Sequence, residues 1–225
     1  FVNCSGELTI NAPLMPSDVE DHAIDRGAFS EANFTKVIIG EGVKELPNGS
    51  FYNSRYLTDV VLPEGFETLG PWAFSRCISL KNINIPSTLT KIGDGAFGET
   101  AIDAIVIPEG ITEIRPNTFR DCQSLIRVTL PESLTYIGGY AFNGCTSLKE
   151  ITIPKNVTKL GSQMFGSCKS YITIYCEGTE PPVLEGGLGT LSLDILKVYV
   201  PTLSVDKYKS VWGGTIANYI YPYEF

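Results

Sequence analysis

Apolar residues in this chain fall in short alternating runs. In Leu80-Lys81-Asn82-Ile83-Asn84-Ile85-Pro86, Ile83 and Ile85 alternate with Asn84, the period-2 pattern of a half-buried strand. The same pattern recurs at residues 37–39, 60–62, 105–107, 128–130 and 151–153, with an altered copy at 172–174. Proline follows directly at Pro63, Pro86, Pro108, Pro131 and Pro154, with Gly40 in the equivalent place of the first unit. Having no amide donor, proline ends a strand ladder at the same point each time. The turns Gly40-Glu41-Gly42, Pro63-Glu64-Gly65 and Pro108-Glu109-Gly110 read as tight corners that need glycine at positive φ. After them come Val43-Lys44-Glu45-Leu46, Leu89-Thr90-Lys91-Ile92, Ile111-Thr112-Glu113-Ile114 and Leu134-Thr135-Tyr136-Ile137. These predict short extended segments on a second face, with their two outer residues inward. Small residues then precede a phenylalanine, as in Gly93-Asp94-Gly95-Ala96-Phe97, which predicts one turn of helix or 3₁₀ that buries the ring.

These pieces repeat on a fixed beat. The phenylalanines are Phe29, Phe51, Phe74, Phe97, Phe119, Phe142 and Phe165, with gaps of 22, 23, 23, 22, 23 and 23 residues. A period of this length with Leu-x-x-Ile-x-Ile character is the signature of a leucine-rich repeat solenoid, a mostly β form of repeat α/β fold. Its parallel strands stack one per coil. We divide the chain into an N-terminal capping segment (1–26), a repeat array of about seven units (27–176), and a loop, final strand and helical, aromatic cap (177–225).

The cysteines follow the beat. Cys77, Cys122, Cys145 and Cys168 each lie three residues after an anchor phenylalanine, where other units carry Ala32, Ser54 and Thr100. A slot that accepts only small residues reads as a packing position, so these thiols are expected to be buried. Consecutive coils lie about one strand spacing apart, roughly 4.8 Å, and distance alone leaves a disulfide between neighbours open. Cys4 and Cys176 read as off the register, at opposite ends of the array.

A solenoid needs caps at both ends. Residues 4–10 carry a strand-like Leu8-x-Ile10, followed by a polar stretch at 16–25. After Cys176 the period fails, and residues 177–189, rich in Gly, Pro and Glu, read as a connecting loop. A last strand returns at Leu196-Lys197-Val198-Tyr199-Val200-Pro201. Beyond Ser204 the spacing of Val205, Tyr208, Val211 and Trp212 fits an amphipathic helix whose apolar side covers the last coil. The aromatic tail at 218–223 reads as part of this cap, with a binding platform as the alternative.

Composition narrows the function. The chain has 225 residues, 43% hydrophobic and 19% charged, enough apolar matter for a continuous core. Its net charge of -8 argues against nucleic acid and anionic membrane surfaces as partners. No run of 18 apolar residues is present to cross a membrane as a helix. The chain opens without a signal-peptide pattern, so any export signal or lipoprotein anchor is expected to lie outside this fragment. No cofactor, metal site or enzymatic activity is expected. The only histidine, His22, sits in the polar N-terminal stretch, and no phosphate loop, zinc spacing or nucleophile elbow occurs.

The unit Ala141-Phe142-Asn143-Gly144-Cys145-Thr146-Ser147-Leu148-Lys149-Glu150-Ile151-Thr152-Ile153-Pro154 closely resembles the BspA-like leucine-rich repeat, also called the Treponema pallidum type. The closing segment with Val198-Tyr199-Val200-Pro201, Tyr208 and Trp212 resembles the ends of such proteins in Bacteroides relatives. The resemblance runs from about Leu8 to the end. It implies an exported or cell-surface bacterial protein, from a family that includes adhesins for host matrix proteins or other microbes, and names no partner. The chain departs from the repeat at Gly40, at Ser50 and Thr118 in place of alanine, and in the drifting unit at 164–176.

The positions the repeat leaves free define a surface. Ile38, Val61, Asn84, Val106, Thr129, Thr152 and Thr173 are expected to form the outward column of the main sheet, flanked by Lys36, Asp59, Asn82, Ala104, Arg127 and Glu150. A mostly β-branched column with mixed charges suits protein recognition, although β-branched residues also simply favour strands. A second, acidic row at Glu41, Glu64, Glu109 and Glu132 reads as solvated corners. Three functions remain open: adhesion-type binding of a host or microbial surface or matrix protein through the sheet face, glycan binding on the tyrosines with Trp72 and Trp212, and a spacer for another domain.

Overall fold

The computed structural model describes residues 5–14, 27–168, 171–189, 196–214 and 216–225. His22 and Cys4 lie outside the described residues. The chain winds as a succession of short extended segments, one coil upon the next, and every strand pairing among the described residues is parallel. One face holds the strands Ser5–Ile10, Asn33–Ile39, Asp59–Val61 and Asn82–Ile83, then Ala104–Val106 and Arg127–Thr129, then Glu150–Ile153, Ile172–Cys176, Leu196–Pro201 and Ile220–Tyr223. The expected single sheet is therefore three consecutive sheets on one face. Just beyond Ile83 the Asn84 side chain takes over from backbone pairing with the preceding coil, donating to Leu62 O at 2.7 Å and accepting from Leu62 N at 2.8 Å. A second face carries two-residue strands such as Glu45–Leu46, Thr68–Leu69 and Lys91–Ile92 in register. Their inward partners Val43, Leu46, Leu89, Ile92, Ile111 and Ile114 are buried as expected.

The third side differs from the expected helical turn. Around each phenylalanine the chain makes successive tight turns, with left-handed residues two places before and two after the ring: Trp72 (φ 57) and Arg76 (φ 63) flank Phe74, and Asn117 (φ 60) and Asp121 (φ 57) flank Phe119. This alternation points the amides along the solenoid axis. Phe51 N donates to Ala73 O at 2.8 Å, Phe74 N to Ala96 O at 2.9 Å, and Phe119 N to Ala141 O at 2.9 Å, so a third ladder joins the coils. A helix turn would have spent those amides within the coil.

Inside, the seven phenylalanine rings form one stack. Successive centroids lie 5.3, 5.6, 6.1, 5.6, 5.5 and 6.0 Å apart, with interplanar angles between 6° and 18°. Cys77 Sγ donates to Phe51 O at 3.1 Å, Cys122 to Phe97 O at 3.0 Å, Cys145 to Phe119 O at 3.1 Å and Cys168 to Phe142 O at 3.3 Å. Ser54 Oγ makes the same bond to Phe29 O at 3.0 Å. The slot thus takes a small side chain and uses a donor, which explains both residue types. The five described cysteines are free thiols. Ser50 and Thr118, which replace alanine before the ring, satisfy their hydroxyls on Pro47 O and Arg115 O, each at 2.7 Å. Gly40 also has a reason: its N–H donates to Ile10 O at 2.7 Å, which proline could not do, and a Cβ there would lie 2.2 Å from Asn11 Oδ1.

The drifting end keeps the coil geometry. Ile151 pairs with Ile174 and Ile153 with Cys176, a register two residues later than the alignment of 172–174 with 151–153. Cys176 is consequently on the beat, buried in the place of Ile153. Residues 177–189 are more than a loop. Val183–Leu184 extends the second face beside Lys159–Leu160, and Leu188 O accepts from Phe165 N at 2.8 Å on the third side. A further coil is built there with little of the repeat sequence. The helix Val205–Trp212 then covers it, with Tyr208 and Trp212 buried and hydrogen-bonded to Gly178 O and Pro182 O, both at 2.8 Å. Val211, expected on the apolar side, is 57% exposed, because it lies off the Tyr208–Trp212 stripe. The tail ends in the strand Ile220–Tyr223, beside Leu196–Pro201.

Phe97→Ala removes one ring from the middle of the stack and is expected to cost about 3–5 kcal/mol in chemical denaturation. In a thiol titration, no more than one of the six cysteines should react in the native protein, and all six after denaturation. Burial first, against weaker opposing hydrogen bonds, pushes Cys122 and Cys168 from the ordinary 9.0 up to about 11. The unfolded chain releases these protons earlier, so stability is full below pH 9 and is lost as pH rises toward 11; melting curves across that window check the sign.

Candidate functional site

The candidate surface is the outward side of the main-face strands. Alternation within each strand sends Val37, Ile39, Val60 and Ile151 into the core, leaving the residues between them outward. Register then aligns them across coils. Lys36, Asp59 and Asn82 form one row, as do Ala104 with Arg127, and Glu150 with Thr173 and Lys197. Ile38 stands beside Val61, and Val106 beside Thr129.

Thr173 is misplaced by the sequence reading. It pairs with Glu150 in the flanking row, while Tyr175 stands beside Thr152 in the outward column, followed by Tyr199 and Tyr221. Residues 172–176 alternate for a full five positions, so two registers satisfy the pattern equally. Pro201, aligned with Pro154, marks Tyr199 for the column, but the period fails after Cys176 and only the pairing of the strands places Tyr175 beside it.

The N-terminal part of the face is tied down internally. Lys36 Nζ pairs with Glu7 Oε2 at 3.0 Å, and Asp59 accepts from Asn82 Nδ2 at 2.8 Å and Thr58 Oγ1 at 2.6 Å. The Thr58 and Asn82 hydrogen bonds, with the Lys36 charge behind them, hold the Asp59 carboxyl below the usual range. Asn84 is committed to Leu62, as described above. Its role is to clip the coils. By contrast Val61 and Val106 stand 42% and 65% exposed, and Arg127, Thr129, Glu150 and Thr152 are exposed on the coils that follow Val106.

The other candidate features resolve into structure. Glu109 of the acidic row accepts from Glu132 N at 3.0 Å and Ser133 N at 3.2 Å, and Glu64 accepts from Ser87 Oγ at 3.3 Å, so these carboxylates staple one corner to the next. Neither tryptophan offers a free ring. Trp212 is buried, and Trp72 is half-buried over Gly95, where a Cβ would sit 2.2 Å from the indole. Among the described residues, no group of three or more His, Cys, Asp or Glu side chains is placed to hold a metal ion, and no helix is long and apolar enough to cross a membrane.

The repeat is shared with known proteins. A family model for the BspA type leucine rich repeat region matches in six copies, over residues 8–126 and 112–179. A leucine rich cell surface protein from Faecalibacterium prausnitzii A2-165 superposes with a TM-score of 0.67 at 30% identity, over 80% of this chain and 49% of its own. The chain thus spans about half the length of that relative. The Leucine Rich Repeat protein of T. pallidum has a TM-score of 0.60 at 25% identity, over 79% of this chain and 83% of its own. No curated protein matches the chain. With the repeat matched over most of its length and stacked as parallel coils, the chain belongs to the BspA-type leucine-rich repeat family.

Proposed function

We propose that the chain is a cell-surface or secreted recognition module that binds a protein partner of adhesion type through the outward face of its main sheets. Leucine-rich repeat folds generally mediate protein–protein interaction. The observation that carries the reading is the exposure of Val106 beside Thr129, with Val61 earlier in the same column and Arg127, Glu150 and Thr152 on the coils that follow, on strands whose inward sides fill the core. Apolar side chains rimmed by opposite charges on a rigid frame meet the needs of a protein interface, and these side chains add nothing to the buried core. The description of the F. prausnitzii relative as a cell surface protein supports the location.

Biolayer interferometry against immobilised fibronectin, laminin and fibrinogen tests this. Binding to at least one is expected, reduced tenfold or more, about 1.4 kcal/mol, by Val106→Glu combined with Arg127→Glu. Lys91→Glu on the second face should leave it intact. Equal binding by the double variant would remove the sheet face from consideration. Asn84 is a poor probe, since its replacement also frees both backbone groups of Leu62.

A further inference from the structure

The outward column ends in an aromatic terrace that the repeat does not require. Earlier coils place Ile38, Val61, Asn84, Val106, Thr129 and Thr152 there, and the last three strands place Tyr175, Tyr199 and Tyr221. The core does not call for them either, because Ile174, Val198 and Ile220 fill the inward positions. Tyr175 and Tyr199 stack at 5.3 Å with 16° between planes, and Tyr223 meets both in T-shaped contacts at 5.2 and 5.8 Å. Phe225 leans on Tyr223 at 4.9 Å. Rings braced in this way lose little rotamer freedom on binding. Tyr221, Tyr223 and Phe225 remain 39%, 42% and 56% exposed.

Polar groups run alongside. Glu150, Thr173 and Lys197 form the neighbouring row on the same face, one side-chain step from the tyrosines. Where Arg127–Thr129 and Glu150–Ile153 are unpaired, a groove of about 330 Å³ opens next to Thr152, lined also by Glu132 and Glu177. The groove lies three strands from Tyr221, about 14 Å, with Thr173 and Lys197 between them, so the ligand has to be extended and present apolar ring surface and hydrogen-bonding groups along its length.

Addition of a further strand is hindered at the sheet edge. Thr173 N and Glu177 N donate back to Lys149 O and Ile153 O. Alternation and register then put the amide positions of Ile220 and Pro222 on the open side of the last strand, and Pro222 has no N–H to offer. The terrace is approached from its face.

We propose that this end of the sheet is an oligosaccharide-binding site, in which pyranose rings lay their C–H faces on Tyr221 and Tyr223 and their hydroxyls bond to Glu150, Thr173, Lys197 and the adjoining groove. A pyranose is apolar on its faces and hydroxylated around its rim, the same alternation that the terrace and its polar row present.

Calorimetric titration of the full chain with cellotetraose, chitotetraose and maltotetraose, backed by a glycan array, tests the site. At least one saccharide should bind, and Tyr223→Ala should weaken it tenfold or more while the far-UV circular dichroism spectrum stays that of the parent. Lys91→Ala on the second face should bind as the parent does. Absence of binding in both assays, or equal binding by Tyr223→Ala, would overturn the proposal. Loss of a matrix protein but of no saccharide on Tyr223→Ala would also overturn it and assign the terrace to the protein-binding face.

Discussion

Everything in this molecule hangs on the vertical stacking of one coil on the next. The phenylalanine stack, the thiol and hydroxyl donors beneath it and the backbone ladders on three sides all run along the solenoid axis. Each demands that equivalent residues stand directly over one another. A coil can shorten from 23 to 22 residues only where no ladder is broken, and it does so between the phenylalanine and the following strand: Phe74 is followed by buried Leu80, Phe97 by buried Ile102. Corners and loops absorb the change; the stack does not.

This constraint divides residues into two kinds. Cys77, Cys122, Cys145, Cys168, the corner glutamates Glu64 and Glu109, and Asn84 look like chemistry when read singly, and each proves to be hydrogen-bonded to a neighbouring coil. Val61, Val106 and the tyrosine column have no such engagement with the core. Function is therefore sought on the outward positions of the strands, where side chains are held at strand spacing on a frame that cannot easily rearrange.

The two ends of the face differ in kind. Toward the N-terminus, charges and amides cancel against each other across the strands, as with Lys36 and Glu7 or Asp59 and Asn82. Toward the C-terminus the face is aromatic and grooved. A single solenoid can in this way carry two recognition chemistries in sequence along one surface, because each coil contributes its outward residues independently of the others.

The coil, its beat, the inward residues, the buried thiols and the family were all legible in the sequence, because a stacking constraint acts on every unit alike and leaves a periodic record. Where the record is not periodic, the tertiary structure alone decides. The alternation at 172–176 fits two registers, and only pairing with the flanking strands selects the one that puts Tyr175 in the column and Cys176 in the core. Residues 177–189 carry almost none of the repeat, yet backbone hydrogen bonds, which are blind to side-chain identity, complete a coil there. The turns around each phenylalanine follow the same logic: small residues permit helix or left-handed turn equally, and the need to reach the next coil chooses the turn.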